Sequence, residues 1–337
     1  MGTKIKVLQV VGGMPNDKNP SLQPFVASQI ESLRNTDLMV DVIDLSALGA
    51  VGYKKYLFGI AALRKSLLSH YYNIIHAHYS YCGWVARMQN RVPVVVSLMG
   101  SDLLGTPNVD GRQTLRGKFD SIVSRLLVRN VDHVIVKSAH MSRNIPGKTR
   151  VSVLPNGVDF EVFKPIPMNI ARKHLEIDPL EKVILFAGNP SNPRKNFRLA
   201  KESFEHIQHN MGVPCRLLTF FGKSQEELAF AMNASDVLLM TSFQEGSPNI
   251  VKESMACNLP IVSVDVGDVS EVIATTRNCY LADYNSLSIA NNVKKVLWSC
   301  ERSDGRCHIR HLSLENVAHQ IIDVYLQEIN RYSALGR

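Results

Sequence analysis

Short apolar runs alternate with helix-period segments from the first residues of this chain. Ile5–Val11 is a continuous apolar-rich run that stops at Gly12-Gly13, which predicts a buried strand near 5–11. A helix near 24–34 opened by Pro24 and a strand near 39–44 follow. In a helix near 53–69, Tyr56, Ile60, Leu63 and Leu67 share one face and leave Lys54 and Lys65 on the other, so the stripe is expected to face a core. Strands near 73–77 and 93–98 come next. A helix near 113–129 then aligns Leu115, Phe119, Ile122 and Leu126, with Arg112 and Arg116 on one flank and Lys118, Arg125 and Arg129 on the other. Basic flanks beside an apolar stripe suit an interface where long side chains snorkel, or ordinary surface solvation; the sequence leaves both open.

After strands near 133–137 and 151–154, the segment Pro155-Asn156-Gly157-Val158-Asp159 to Phe163-Lys164-Pro165-Ile166-Pro167 breaks the periodicity with turn formers and prolines. A fresh series begins at Val183–Ala187 and continues through strands near 216–221, 236–240 and 261–264, and a helix near 314–329 closes the chain. The rhythm is that of an α/β protein with βαβ units around parallel sheets. The expected organisation is a Rossmann-like domain over 1–162, a second over 163–313, and a closing segment 314–337 that rejoins the first.

Composition narrows the function classes. The 337 residues are enough for two cores, and 45% hydrophobic with 20% charged residues leaves no window apolar enough to span a membrane. The first apolar run is too short for a signal peptide and leads into a glycine turn, so a cytoplasmic protein is expected. Cys82, Cys215, Cys257, Cys279, Cys300 and Cys307 lack paired spacing and are expected to be free thiols. Cys300, Cys307, His308 and His311 cluster in sequence, but their spacing matches no familiar zinc pattern, and no metal site is expected. The net charge of +8 is unevenly spread: residues 1–160 hold 19 Lys and Arg against 10 Asp and Glu, and the rest balances to −1. That excess fits an anionic membrane surface or a phosphate-bearing substrate, or simply a solvated surface; no nucleic-acid-binding motif accompanies it.

The densest chemistry lies in Glu245-Gly246-Ser247-Pro248-Asn249-Ile250-Val251-Lys252-Glu253, between a strand and a helix. A Gly-Ser-Pro turn puts the first carboxylate in a loop and the second about one turn into the helix. The same turn exposes a helix amino terminus, whose free N–H groups and positive dipole end can seat a diphosphate. Alone, the pair also fits two solvated acids. Gly188-Asn189-Pro190-Ser191-Asn192-Pro193-Arg194-Lys195-Asn196 adds two adjacent cations at a strand's carboxyl end, where open α/β sheets bind ligands. Gly12 and Gly13 allow the backbone to approach a ligand closely, without forming a G-x-G-x-x-G dinucleotide fingerprint.

With these motifs in order, and with Asn73–His78, Gly100-Ser101-Asp102, Val134–Ser138, Leu154–Asp159, Met255–Val262 and Asp265-Val266-Gly267, the chain resembles the family 4 glycosyltransferases (glycosyl transferases group 1) nearly end to end. The resemblance implies a GT-B fold, two Rossmann-like domains facing each other across a cleft. It implies a retaining transferase of the bacterial surface-polysaccharide type, acting in capsule or lipopolysaccharide synthesis. The donor would be a nucleotide-sugar, a UDP-sugar by family default, and the acceptor a glycan or lipid-linked glycan. No cofactor or divalent metal is implied, since basic side chains and helix dipoles take that place; the sequence has no D-x-D pair. Glu245 would act at the transferred sugar together with Lys195, and Glu253 would hold the ribose. Arg194, Lys195, Gly188, Asn189, Gly222, Gly246, Ser247, Pro248, Asn249 and Ile250, with Gly12 and Gly13, would surround the donor. His78, Asp102 and Asn156 are candidates on the sugar and acceptor side. Peripheral attachment to an anionic membrane, at the inner face of the plasma membrane, is a further expectation.

Three positions depart from the family pattern. Asn189 stands where members carry Arg, leaving Arg194 as the candidate substitute. Met99 stands where many carry His, leaving His78 or Asp102 to fill that role. Asn258 replaces a usual Gly, a mild change because Asn tolerates a left-handed backbone. Two other functions compete: a nucleotide-sugar 2-epimerase of the same fold, which needs no acceptor, and an inactive sugar-nucleotide-binding partner, against which intact Glu245, Lys195 and Glu253 argue.

Overall fold

The computed structural model describes residues 4–335; Met1, Gly2, Thr3, Gly336 and Arg337, which fall within the expected domain ranges, lie outside the described residues. The chain forms two units. One comprises residues up to Thr106, Thr114–Gly157 and the chain from Leu314 on; the other comprises Pro107–Gln113 and Val158–Ser313. The division falls slightly before the expected 162/163 because Val158 already pairs in parallel with Ser313 and packs, with Phe163, in the second unit's core. Pro107–Gln113, expected in the first domain, belongs to the second unit, where Gly111 lies against the Phe243 ring and Gln113 donates to Gln244 at 3.1 Å.

The first unit runs β1 (Lys6–Val11), α1 (Pro24–Arg34), β2 (Met39–Asp44), α2 (Lys54–Ser69), β3 (Ile74–His78), α3 (Ser80–Arg87), β4 (Val94–Ser97), α4 (Ser101–Leu104), α5 (Leu115–Leu127), β5 (His133–Val136), α6 (Ala139–Ser142) and β6 (Val151–Val153). Its sheet is parallel in the order β2-β1-β3-β4-β5-β6. The second unit runs α7 (Met168–His174), β7 (Lys182–Ala187), α8 (Phe197–Met211), β8 (Cys215–Phe220), α9 (Gln225–Ala234), β9 (Val237–Met240), α10 (Asn249–Ala256), β10 (Ile261–Val264), α11 (Val269–Ile273), β11 (Tyr280–Ala282), α12 (Ser286–Ser299) and α13 (Gly305–His308), on a parallel sheet ordered β11-β10-β9-β7-β8. The central strands β4, β9 and β10 are buried at every residue, as a sheet covered on both faces requires.

The closing helix α14 (Leu314–Ala334) packs Val317, Ile321, Val324 and Tyr325 against Val7, Ile74, Val95 and Ile135 of the first sheet. Its polar groups reach the same sheet. The Tyr325 hydroxyl accepts from Gln9 Nε2 at 3.1 Å and bonds His76 Nδ1 at 2.6 Å, while Glu328 meets His133 at 2.9 Å and Arg150 at 2.7 Å. Polar side chains inside a sheet are tolerated when they find partners, and the helix both covers the sheet and supplies partners to Gln9, His76, His133 and Arg150.

One helix is inverted relative to ordinary packing. The α2 stripe faces inward as its spacing predicts, with Leu63 fully buried and Tyr56, Ile60 and Leu67 packed on the core. On α5 the buried face is instead mostly small, with Leu127 at its end in the core: a Cβ on Gly117 would lie 2.4 Å from Thr106 N, and Ser121 and Ser124 donate to Leu103 O and Asp102 O, each at 2.6 Å. Thr114 caps the helix by accepting from Gly117 N at 3.0 Å. Leu115, Phe119, Ile122 and Leu126 are left outside, at 85, 58, 55 and 48% exposure.

Removing the Tyr325 hydroxyl leaves Gln9 Nε2 and His76 Nδ1 buried without that partner, so Tyr325→Phe is expected to lower the stability of the first unit by about 1–3 kcal/mol. Chemical denaturation followed by far-UV circular dichroism measures this; an unchanged midpoint would show that the Tyr325 hydroxyl contributes nothing to holding α14 on the sheet.

Candidate functional site

In the second sheet β7 is flanked by β8 on one side and β9 on the other, so the chain reverses its direction of travel between β7 and β9. Open parallel sheets bind ligands just beyond the carboxyl ends at such a switch point, where the loops diverge. The loops leaving β7 and β9 carry the two charged motifs. They are tied together by backbone: Phe243 N donates to Arg194 O at 2.9 Å, and Thr241 Oγ1 bonds Lys195 O and Asn196 O, each at 3.0 Å.

The β7 loop folds itself into position. Ser191 N donates to the Asn189 side chain at 2.9 Å, and the Asn192 side chain accepts from Arg194 N at 3.1 Å, opening a 3-10 turn over Pro193–Lys195. Asn196 takes a left-handed φ of 49°, which turns the chain into α8. A Cβ on Gly188 would sit 3.4 Å from Lys195 Cγ, so this glycine lies flush against the lysine stem.

The two cations converge on one carboxylate. Glu245 Oε1 lies 2.7 Å from Lys195 Nζ and Oε2 lies 2.8 Å from Arg194, with Glu245 only 7% exposed. Burial pushes this carboxyl up, but Lys195 and Arg194 outweigh it and hold it below the usual carboxylate range. Two cations against one anion leave the cluster net positive. Eight residues on, Glu253 sits in α10, and burial pushes its carboxyl up to about 7 against the pull of Lys252 and Lys195.

The turn between them has a buried support that the sequence did not disclose. Ser247 Oγ donates to Asp268 Oδ2 at 2.6 Å and accepts from Lys252 Nζ, and Lys252 is 1% exposed. Burial lowers the Lys252 ammonium and Asp268 works in the opposite direction. Gly267, at φ +66°, brings its segment against the turn; a Cβ there would be 3.0 Å from Gly246 O. With its hydroxyl used on both sides, Ser247 anchors the turn, and Pro248 leads into the first helical residues Asn249 and Ile250. A charged residue at an inward position of an amphipathic helix was the available signal for Lys252.

Residues 25–162 match the family model described as Glycosyltransferase Family 4, and residues 181–298 match Glycosyl transferases group 1. Together they cover most of the chain. It belongs to the family 4 glycosyltransferases. Curated relatives include a D-inositol 3-phosphate glycosyltransferase of Rhodococcus erythropolis, 26% identical over 60% of this chain and 54% of the relative, and one of Mycobacterium tuberculosis, 22% identical over 78% and 63%. The chain thus spans between about half and two thirds of these relatives' length. Among solved structures, sucrose-phosphate synthase from Thermosynechococcus elongatus superposes with a TM-score of 0.80 at 18% identity, covering 96% of this chain and 99% of that one. Anabaena HepE in complex with UDP and glucose gives 0.68 at 15% identity, covering 96% and 100%. The fold is that of GT-B proteins, built from two Rossmann-like α/β domains.

Within this family 4 chain the departures from pattern have structural answers. Arg194 stands on the Glu245 carboxylate, while Asn189 is occupied in shaping its own loop. Asn258 has a left-handed φ of 53°. Met99 packs beside Val11, Val26 and Ile30. Gly222, at φ +73°, turns the chain after β8.

Other candidates lie in the first unit. His78 is fully buried, with Nε2 bonded to Gln9 at 2.9 Å and its ring tilted against that of His76 at 4.4 Å between centres, which places it in the polar seam of the sheet. Burial brings its imidazole down to about 3, so it is neutral at physiological pH. Asp102 Oδ1 accepts from the backbone N–H of Met99, Gly100 and Leu103 at 2.9–3.1 Å. Gly12 borders a cavity, whereas Gly13 is needed for packing: a Cβ there would meet Leu22 at 2.7 Å. Asn156 is buried close to the change of unit. Among the described residues, no group of three or more His, Cys, Asp or Glu side chains is placed to hold a metal.

An acid whose folded pKa lies above its unfolded value binds more protons when folded, so its contribution falls as pH rises from the unfolded value to the folded one. For Glu253 that window runs from 4.5 to about 7. The loss of thermal stability across this window is expected to be smaller in Glu253→Gln than in the wild type; identical pH profiles would place the Glu253 carboxyl near its ordinary value.

Proposed function

We propose that this protein is a retaining glycosyltransferase that moves a sugar from a nucleotide-sugar, UDP-linked by preference, to a glycan or lipid-linked glycan acceptor in cell-surface polysaccharide synthesis. The observation that carries the reading is the buried Glu245 carboxylate held by Arg194 and Lys195 at the switch point of the second sheet, beside the turn into α10. A net positive cluster and the positive dipole end at the start of that helix suit a diphosphate. Lys195 and Arg194 exchange part of their hold on Glu245 for the phosphates, leaving Glu245 at the transferred sugar. Glu253 accepts from ribose hydroxyls. The fixed charges supply what a divalent ion supplies elsewhere, so no metal is needed. The solved relative holding UDP and glucose and the curated relatives named for sugar transfer to inositol 3-phosphate support a nucleotide-sugar donor and a hydroxyl acceptor. The leaving diphosphate takes the acceptor's proton on the same face as the forming bond.

Incubation with a panel of sugar nucleotides, with and without glycan acceptors, tests the activity: transfer requires both, and product from the donor alone would favour epimerisation. Charge-assisted bonds to phosphate are worth about 1.5–3 kcal/mol, so Lys195→Ala is expected to weaken donor binding or turnover at least about tenfold. Glu245→Ala should depress turnover and spare binding of free UDP, while Glu253→Ala should weaken binding of UDP and of the whole donor. Equal effects of the two changes on UDP binding would contradict the division of roles.

A membrane surface carrying the acceptor is the partner we propose for the first unit, with attachment at the inner face of the plasma membrane. The exposed apolar stripe of α5, with Arg116, Lys118 and Arg125 exposed on that helix and Arg129 exposed just beyond its end, supports it. Rings and aliphatic chains enter the boundary between headgroups and acyl chains, and the long basic side chains reach back to lipid phosphates. No helix among the described residues is long and apolar enough to cross a membrane. Each basic residue near an anionic leaflet contributes about 1 kcal/mol and is screened by salt. Liposome sedimentation should show binding that requires anionic lipid, weakens with salt, and falls when the four basic residues are neutralised together; equal recovery with neutral vesicles at low salt would refute this attachment.

A further inference from the structure

The first sheet has its own switch point, between β1 and β3, and a cavity of about 210 Å³ lies there. Gly12, at the end of β1, and Ser80, just past β3, both line it. Resting on the transferase reading, we infer that this cavity is an acceptor site built for the hydroxyls of one neutral sugar residue, and that it selects against a phosphorylated sugar or polyol.

Two observations show that the cavity is built for polar contacts. Ser80 is fully buried and Asp102 is 8% exposed; both line the cavity, and Ser80 Oγ and Asp102 Oδ2 have no hydrogen-bond partner among the described residues. A buried hydroxyl and a buried carboxylate oxygen without partners have given up water for nothing in return, which is costly. A ligand that offers hydroxyls to this carboxylate, and accepts from or donates to the serine, recovers that cost. Asp102 is held for the task, because its other oxygen is fixed by three backbone N–H groups.

The remaining wall suits a sugar ring. Tyr81 lies 5.3 Å from Tyr56, ring centre to ring centre, and its hydroxyl donates to Asp120 at 2.6 Å, which fixes both the ring and the carboxylate. Lys55 Nζ donates to Gly12 O at 2.9 Å, so the one lining ammonium is tethered to the glycine turn. The volume is below the roughly 300–1,000 Å³ of sites that enclose drug-sized ligands, which matches a single terminal residue.

Charge decides between neutral and phosphorylated ligands. Lys55 is opposed by Asp102 and Asp120, so the lining holds one cation and two carboxylates. The second unit reverses this ratio, with Arg194 and Lys195 around Glu245. Like charges repel and opposite charges attract most strongly where water is partly excluded, so a phosphate near two carboxylates and one lysine gains little and is repelled by the surplus. Sugar hydroxyls meet no such penalty, since they donate to carboxylates and accept from the lysine.

The test is direct binding to the full chain, by saturation-transfer NMR and calorimetry, of the methyl glycosides of glucose, galactose, mannose and N-acetylglucosamine. Glucose 6-phosphate, mannose 6-phosphate and inositol 3-phosphate are run in parallel, each with and without UDP. At least one neutral glycoside is expected to bind at least about tenfold more tightly than every phosphorylated probe. Ser80→Ala removes a hydroxyl that no protein group uses, so it should fold normally and weaken the glycoside about fivefold. Asp120→Asn should narrow the preference against phosphate. Binding of a phosphorylated probe as tight as that of the best glycoside, no binding by any neutral glycoside, or an unaffected Ser80→Ala variant would each overturn the inference. UDP titration in the same samples separates the two readings: its failure counts against the donor site in the second unit, whatever the glycosides do.

Discussion

A carboxylate with little access to water must be protonated or paired, and Glu245 is paired twice. That arrangement makes demands on the whole second unit. Arg194 and Lys195 can reach Glu245 because the loops leaving β7 and β9 emerge side by side, and they do so because β9 pairs with β7 on the side away from β8. Bonds from the Phe243 backbone N–H and the Thr241 hydroxyl then hold the loops in register. Removing one cation leaves a buried charge with half its compensation, whereas removing the carboxylate leaves two cations pressed together. The bonds from Phe243 and Thr241 hold the loops without Glu245, so the cluster sets the local charge and is the proposed seat of the donor's diphosphate.

The two sheets apply one topological rule to different chemistry. Each reverses direction beside its first strand, and each places its most constrained polar groups beyond that reversal. In the second unit the balance there is positive and a helix of eight residues opens from the turn. In the first unit the balance is negative and the wall is aromatic. On the proposed roles, an anionic ligand and a hydroxyl-bearing ligand would be separated by electrostatics built into two similar frameworks. The same first unit turns the apolar stripe of α5 outward, next to the helix face that carries Asp120 into the cavity.

Much of this was legible in the sequence because parallel strands buried on both faces are written as continuous apolar runs. β1, β2 and β10 begin and end within a residue of where those runs predict. The motif residues of the second unit were legible for a related reason: Glu245, Arg194 and Lys195 sit in loops bounded by recognisable strands, so their convergence follows from the α/β rhythm. What stayed hidden depended on contacts between distant segments. The Lys252–Ser247–Asp268 support requires knowing that the turn after β10 folds back over the turn before α10. The burial of His78 depends on Gln9, and the seam it joins is closed by Tyr325, from the far end of the chain. The sequence left the orientation of α5 open, because an apolar stripe has the same periodicity whether it faces a core or an interface; Gly117 and Ser124 on the opposite face decide it.

The central claim is that the second unit seats a nucleoside diphosphate with side chains and a helix terminus, without a metal ion. Calorimetric titration of UDP into the full chain in the presence of EDTA tests it most directly. The account predicts saturable one-site binding that excess magnesium leaves nearly unchanged. Binding that appears only when a divalent ion is supplied, or no UDP binding under either condition, would contradict it.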